Sequence, residues 1–161
     1  MTHKIYVNRE RPGLGFEKAY IPIKRAVRAA LKTENVPESC SVCVLLTDDE
    51  GIHEINLEQR GIDSATDVLS FPMNDFTEGA PDFEYAERDE DGSVFLGDMV
   101  ISLEHANAQG EEYGHGFEHE VSYLAVHSVM HLLGYDHLDE GERKRLMRSR
   151  EKLAMAALGM E

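Results

Sequence analysis

The sequence predicts an α+β fold in which a small mixed sheet of four strands packs with about five helices. Three observations carry this. In the first hundred residues, short β-rich apolar runs alternate with helical patterns in the order β-α-β-α-β-loop-β. Three helical segments then follow with no strand between them. No repeat and no linker divides the 161 residues, so 1–161 is expected to form one domain.

HKIYVN at 3–8 alternates weakly and reads as the first strand. Ile23, Ala26, Val27, Ala30 and Leu31 share one helical face, and Pro22 is tolerable in the first turn. SVCVLLT at 41–47 reads as a buried strand. Asp48 and Asp49 then cap a helix that carries Ile52, Ile55 and Leu57 and ends near Arg60 and Gly61. TDVLSFP at 66–72 is β-rich and stops at a proline. The stretch 73–93 holds eight acidic residues against one Arg and reads as a solvated loop. LGDMVISL at 96–103 is the fourth strand, and helices are expected near 104–113, 117–134 and 139–158. The long apolar helix 117–134 is expected to be central.

Composition narrows the function. No apolar run is long enough to span a bilayer, and the N-terminus lacks an apolar leader, so a soluble cytoplasmic protein is expected, with no membrane partner. The formal net charge of -15 argues against broad, non-specific binding of nucleic acid. Of the sixteen Lys and Arg residues, eight lie in 1–32 and six in 143–152, which leaves Arg60 nearly alone in an acidic middle. Cys40 and Cys43 form a C-x-x-C pair, but no second pair exists to complete a zinc knuckle. They also lie on a strand, where their side chains point to opposite faces, so they are expected to be small core residues.

HSVMHLLGYDH carries the chemistry. His127 and His131 are i and i+4, one turn apart on the same helical face. Gly134 can end the helix in a left-handed conformation and turn the chain back, which brings His137 towards the same ion. Three neutral imidazoles leave a zinc ion doubly charged with one open position. Structural zinc normally has four protein ligands, so three favour catalysis. Water in the open position has its pKa lowered toward about 7, which supplies hydroxide at neutral pH. The spacing H-x3-H-x2-G-x2-H is that of metzincin proteases, but their general-base Glu after the first His is here Ser128. Of the other histidines, His105, His115 and His119 are expected at the surface, with His119 two turns before His127 and able to approach the site. His3 and His53 carry no signal.

HSVMHLLGYDH resembles the signature of the YbeY family of bacterial rRNA maturation endoribonucleases, H-G-x-L-H-L-x-G-Y-D-H. Asn56, Arg60 and TDVLSFP at 66–72 match a second family segment, and LGDMVIS at 96–102 a third. The order and spacing agree over nearly the whole chain. Ser128 replaces the usual Gly, Met130 a Leu, and Ala65 a frequent Pro. Met130 conserves volume. Ser128 adds a hydroxyl beside the expected metal, with at most a small effect on water placement. The resemblance implies a single-strand-specific, zinc-dependent endoribonuclease acting in small-subunit (16S) rRNA 3′-end maturation and ribosome quality control. It implies one Zn2+ per chain on His127, His131 and His137. Arg60 would hold the substrate phosphate, and Arg60 and His127 would be the catalytic positions. The implied partners are single-stranded rRNA precursor and, for delivery, ribosomal proteins or a ribosome-associated GTPase.

Phosphodiester hydrolysis needs a nucleophile and relief of negative charge on the phosphoryl group. Zinc answers the first need, and the planar fork of Arg60 can clamp two phosphate oxygens for the second. No general base is evident: Asp136, Asp67 and Asp98 are candidates for orienting or structural duty. Attack by the RNA's own 2′-OH is an alternative route. Arg143, Lys144, Arg145, Arg148, Arg150 and Lys152 on the last helix offer a basic track for RNA, or simply a solvated face. Two rival readings follow from the same residues: a metzincin-like zinc peptidase, and a non-catalytic assembly factor stabilised by metal.

Overall fold

The computed structural model describes residues 1–77, 81–137 and 141–160. Among these residues there are four strands: β1 (Lys4–Arg9), β2 (Cys40–Thr47), β3 (Val68–Pro72) and β4 (Val94–Ser102). Five α-helices accompany them: α1 (Tyr20–Thr33), α2 (Asp49–Arg60), α3 (Leu103–Tyr113), α4 (Gly116–Leu132) and α5 (Glu142–Ala157). Two short 3-10 turns, Pro12–Leu14 and Glu17–Ala19, lie between β1 and α1 and were not expected.

The sheet order is β1-β2-β4-β3. β1 and β2 run parallel, with Ile5 beside Val42, and β2 and β4 run parallel, with Val44 beside Met99. β3 is antiparallel to β4, with Leu69 beside Val100, so the sheet is mixed as predicted. The edges suit their positions. β3 ends on Pro72, which has no N–H to offer a further strand, and β1 carries Lys4 and Arg9 at its ends. Gly97 sits opposite Pro72 at φ 136°, where an added Cβ would lie 2.3 Å from the Phe71 carbonyl oxygen. The glycine of LGDMVIS therefore lets two backbones meet at the register shift between β2 and β4.

Alternation along the strands divides the core. Val42, Val44 and Leu46 of β2 and Leu96, Met99 and Ile101 of β4 join α1, α3, α4 and α5 in the main cluster. Val100 and Leu69 point to the other face, against Ile52 of α2. Among the helices described, α2 is the one that contributes to this smaller cluster. Ile52 is buried and Ile55 half-buried, whereas Leu57 is exposed. Asp48 alone caps α2, its Oδ1 accepting from Gly51 N–H at 2.9 Å. Asp49 instead accepts from Ser102 Oγ and faces His105 Nδ1.

α4 is central, as expected. From Val121 to Leu132 every residue is buried except Tyr123, His127 and His131. These three stand at i, i+4 and i+8, so the helix is sealed on all sides but one seam. The loop 73–93 is less solvated than its charge suggested. Phe83 is buried and packs on Phe76 at 5.3 Å between ring centroids, while Arg88 donates to Glu38, Phe83 O and Gly92 O. The central part of that loop, 78–80, lies outside the described residues.

Cys40 is fully buried and Cys43 half-buried on β2, in keeping with structural roles. Burial pushes the Cys40 thiol up to about 12. At about pH 8 only about one Cys40 in ten thousand is then thiolate. Iodoacetamide should therefore modify Cys40 only after unfolding. Mass spectrometry showing rapid labelling of Cys40 in the native protein would contradict this placement.

Candidate metal centre

α4 delivers His127 and His131 from its open seam, and the turn after it delivers His137. Gly134 makes that turn possible. Its N–H donates to His131 O at 3.0 Å, and Tyr135 N–H returns to Met130 O at 3.0 Å. The glycine has φ 99°, and a Cβ there would lie 2.4 Å from Phe76 O. Tyr135 is buried against the core, which anchors the returning chain one residue before Asp136.

The ring nitrogens converge. Ligand atoms of His127, His131 and His137 all lie within 4.8 Å of one another. His131 Nδ1 faces the Tyr135 carbonyl oxygen at 3.0 Å. A carbonyl only accepts, so Nδ1 carries the proton and Nε2 presents its lone pair. His127 Nδ1 faces the Glu151 carboxylate at 2.5 Å, which likewise leaves Nε2 as the free nitrogen. The two Nε2 atoms stand 3.2 Å apart. Two nitrogens held at about 2.0–2.1 Å by one tetrahedral ion would be about 3.3 Å apart, so the spacing fits a shared cation. Burial first, then the neighbouring His127 and His137, pushes His131 down to about 4. The ring is thus neutral at pH 7, the form in which an imidazole can ligate a metal.

Glu151, which holds His127 from α5, is the residue beside the triad that the sequence did not point to. It is buried, on the α5 face that also carries Met147, Ala154 and Met155. Its second oxygen accepts from Tyr123 Oη at 2.9 Å. Burial and the nearby Glu151 push the Tyr123 phenol well above its ordinary value, so it stays a donor. The pair locks the tautomer and orientation of His127. A signal was present: an acidic residue sits on the apolar stripe of an amphipathic helix. Asp136, the carboxylate nearest in sequence, instead accepts from Arg143 at 3.3 Å.

Arg60 ends α2, with Gly61 closing the helix at φ 69°. It is exposed and makes no hydrogen bond or ion pair among the described residues. Arg60 and the three histidines line one cleft of about 800 Å³. Asn56 is buried, and its Nδ2 donates to Ser64 O at 2.9 Å, which holds the chain leaving Arg60. Asp67 Oδ1 accepts from Val68 N–H at 2.7 Å, a local structural duty at the start of β3. Asp98 lies on β4 in register with Cys43 and Phe71, and burial raises its pKa.

Ser128 does not face the metal position as expected. Its side chain is fully buried, and its Oγ lies 2.6 Å from Ser70 Oγ, tying α4 to β3. His119 does not join the triad either. It stacks on His115 at 4.0 Å between ring centroids.

The sequence model of the family described as Endoribonuclease YbeY matches residues 12–159. The chain belongs to this family. Among YbeY relatives, the Endoribonuclease YbeY of Caldanaerobacter subterraneus subsp. tengcongensis is 51% identical over 139 residues, 86% of each chain. That of Clostridium botulinum strain 657 is 45% identical over 157 residues, covering 93% of this chain and 89% of the relative. The solution structure of TM1509 from Thermotoga maritima has the same fold. It aligns with a TM-score of 0.57 at 24% identity, over 96% of this chain and 91% of that one. The YbeY match includes all the segments that build the cleft.

Glu151→Gln keeps the shape of the side chain but removes its charge. It should weaken metal affinity about 10–100-fold while the protein stays folded. Competition against a chromogenic chelator measures this, and an unchanged affinity would remove Glu151 from the centre.

Proposed function

We propose that this chain is a zinc-dependent endoribonuclease that hydrolyses single-stranded RNA, acting on the 3′ end of small-subunit rRNA precursor in the cytoplasm and in ribosome quality control. Family membership supports an RNA endonuclease of rRNA maturation. The observation that carries the mechanism is the cleft, in which three converging imidazoles and the exposed Arg60 line one space.

A bound divalent ion supplies Lewis acidity and lowers the pKa of a water that it ligates. The chain's own residues do the rest. His127, His131 and His137 would hold the ion through imidazole nitrogens, which carry no negative charge and so would leave its own charge undiminished. Glu151 and the Tyr135 carbonyl keep the two helical imidazoles in the ligating tautomer. Arg60 receives the phosphate with its fork, and it stabilises charge that develops on the phosphoryl oxygens. The buried Ser128 speaks against the peptidase reading, since no general base follows the first ligand and the hydroxyl there is engaged with Ser70.

Arg143 and Arg150 are among the basic residues of α5 that are already engaged. Arg143 meets Asp136, and Arg150 binds Glu34 and Thr33 O. Arg148 and Lys152 are exposed on either side of Glu151 and are the better candidates for a local RNA track. Ribosomal proteins or a ribosome-associated GTPase would deliver the substrate where this track is insufficient.

Arg60→Ala should lower cleavage of a single-stranded RNA about 100-fold, the loss typical of one electrostatic contact to a developing charge, with metal content unchanged. His131→Ala should lose both metal and cleavage. Wild-type turnover by the Arg60→Ala protein would remove Arg60 from the mechanism. Cleavage that persists in metal-free protein would defeat the reading as a whole. Naked-RNA cleavage should also fall between about 50 and 200 mM salt if contact is through a local basic track, and a flat response would count against that track.

A further inference from the structure

A second group of ligating side chains lies at the other end of the α4 seam. His115 precedes α4, and His119 and Glu120 lie in its first turns. One ligand atom from each lies within 4.8 Å of the others. His119 and His127 are eight residues apart, about 12 Å along the helix, so this group is separate from the triad.

Glu120 and His119 are buried groups in need of a partner, and the exposed His115, which stacks on His119, would turn its ring to bring a nitrogen to a shared ion. Glu120 is buried, a costly place for a carboxylate without cationic partners. Its Oε1 accepts from Gln109 Nε2 at 2.9 Å, which orients the carboxylate, and its Oε2 faces His115 Nε2 at 3.1 Å. His119 Nδ1 is buried and has no hydrogen-bond partner among the described residues. Burial, and then the neighbouring His115, hold His119 below its ordinary pKa, so the ring is neutral and the orphaned nitrogen can offer a lone pair. A side chain with a buried, unpartnered ring nitrogen thus converges with a buried carboxylate and a second imidazole, a set that a cation would satisfy.

We propose that His115, His119 and Glu120 form a second divalent-metal site, with two imidazoles and one carboxylate, that takes a zinc-class transition ion. The donor set is one that zinc uses, and imidazole nitrogen selects against magnesium and calcium. On binding, the ion takes the place of the proton between His115 Nε2 and Glu120 Oε2. A neutral His115 moves that proton to Nδ1, whereas a charged one releases it to solvent. His115 is the exposed side of the site, which leaves room for water to complete the coordination. The site does not depend on the RNA reading of the cleft.

The test uses tag-free, chelator-stripped protein titrated with Zn2+ by calorimetry and with Co2+ by visible absorption. Wild type should bind two equivalents. A His131→Ala/His137→Ala variant should still bind one, and adding His115→Ala or His119→Gln to it should abolish that remaining equivalent. Circular dichroism checks that each variant is folded, and His115, exposed ahead of the helix, is the substitution least able to disturb packing. The proposal is overturned if folded His131→Ala/His137→Ala protein binds no metal. It is equally overturned if the remaining equivalent survives both His115→Ala and His119→Gln, or if wild type binds only one equivalent and the triad accounts for it.

Discussion

The burial of α4 is the constraint on which the molecule depends. This helix lies against α1, α3 and α5 and also against the sheet, and between Val121 and Leu132 it leaves only Tyr123, His127 and His131 partly open. A helix enclosed in this way has little freedom to rotate or slide, because moving any one apolar side chain disturbs several close-packed neighbours. The imidazoles therefore inherit the rigidity of the core. A ligand set built on a surface helix would have to hold its geometry by its own contacts, whereas here the packing of Leu124, Val129 and Leu132 does it.

Enclosure also sets the polar chemistry around the triad. α5 must cover α4, yet it meets the helix along the seam that carries His127. A purely apolar α5 would leave the Nδ1 proton of His127 buried and unpaired, at a cost of about 1–3 kcal/mol. Glu151 answers that need, and Tyr123 answers the second oxygen of Glu151. The chain Tyr123–Glu151–His127 is thus required by packing, and it is the arrangement that the proposed metal centre also needs. One residue satisfies the core and orients the His127 imidazole at once. The Tyr135 carbonyl does the same for His131, through the turn that Gly134 permits.

These dependencies separate what could be read in the sequence from what could not. Periodicity located the four strands and five helices, because each buries a defined face: Ile23 to Leu31 on α1, for instance, or Val42 to Leu46 on β2. Leu57 of α2 is exposed: a helical stripe does not say how far the partner surface extends. The triad was readable because i, i+4 spacing and a helix-ending glycine are local geometry. Glu151 lies 24 residues from His127, and its role depends on α5 folding back over α4, which no local pattern encodes. The direction of the Ser128 hydroxyl was unreadable for the same reason: it is decided by Ser70 on β3, 58 residues away. The short 3-10 turns before α1 bury little more than Leu14 and Ala19, too small a stripe to produce a period.

The net charge of -15 bears directly on how such a cleft could receive RNA. Among its lining residues Arg60 stands against Asp67, Asp75 and Asp136, and the histidines add nothing when neutral. One cation against three carboxylates leaves a formal charge of -2, a field that repels phosphate. A divalent ion on the triad brings the cleft to neutrality and concentrates its positive charge opposite Arg60. At physiological salt, charges more than about 8 Å away are largely screened, so the acidic remainder of the surface matters less than these few groups. On the proposed reading the ion is therefore needed twice, first to let the phosphate approach and then for the chemistry. That is how a strongly acidic protein can act on a polyanion without a broad basic face.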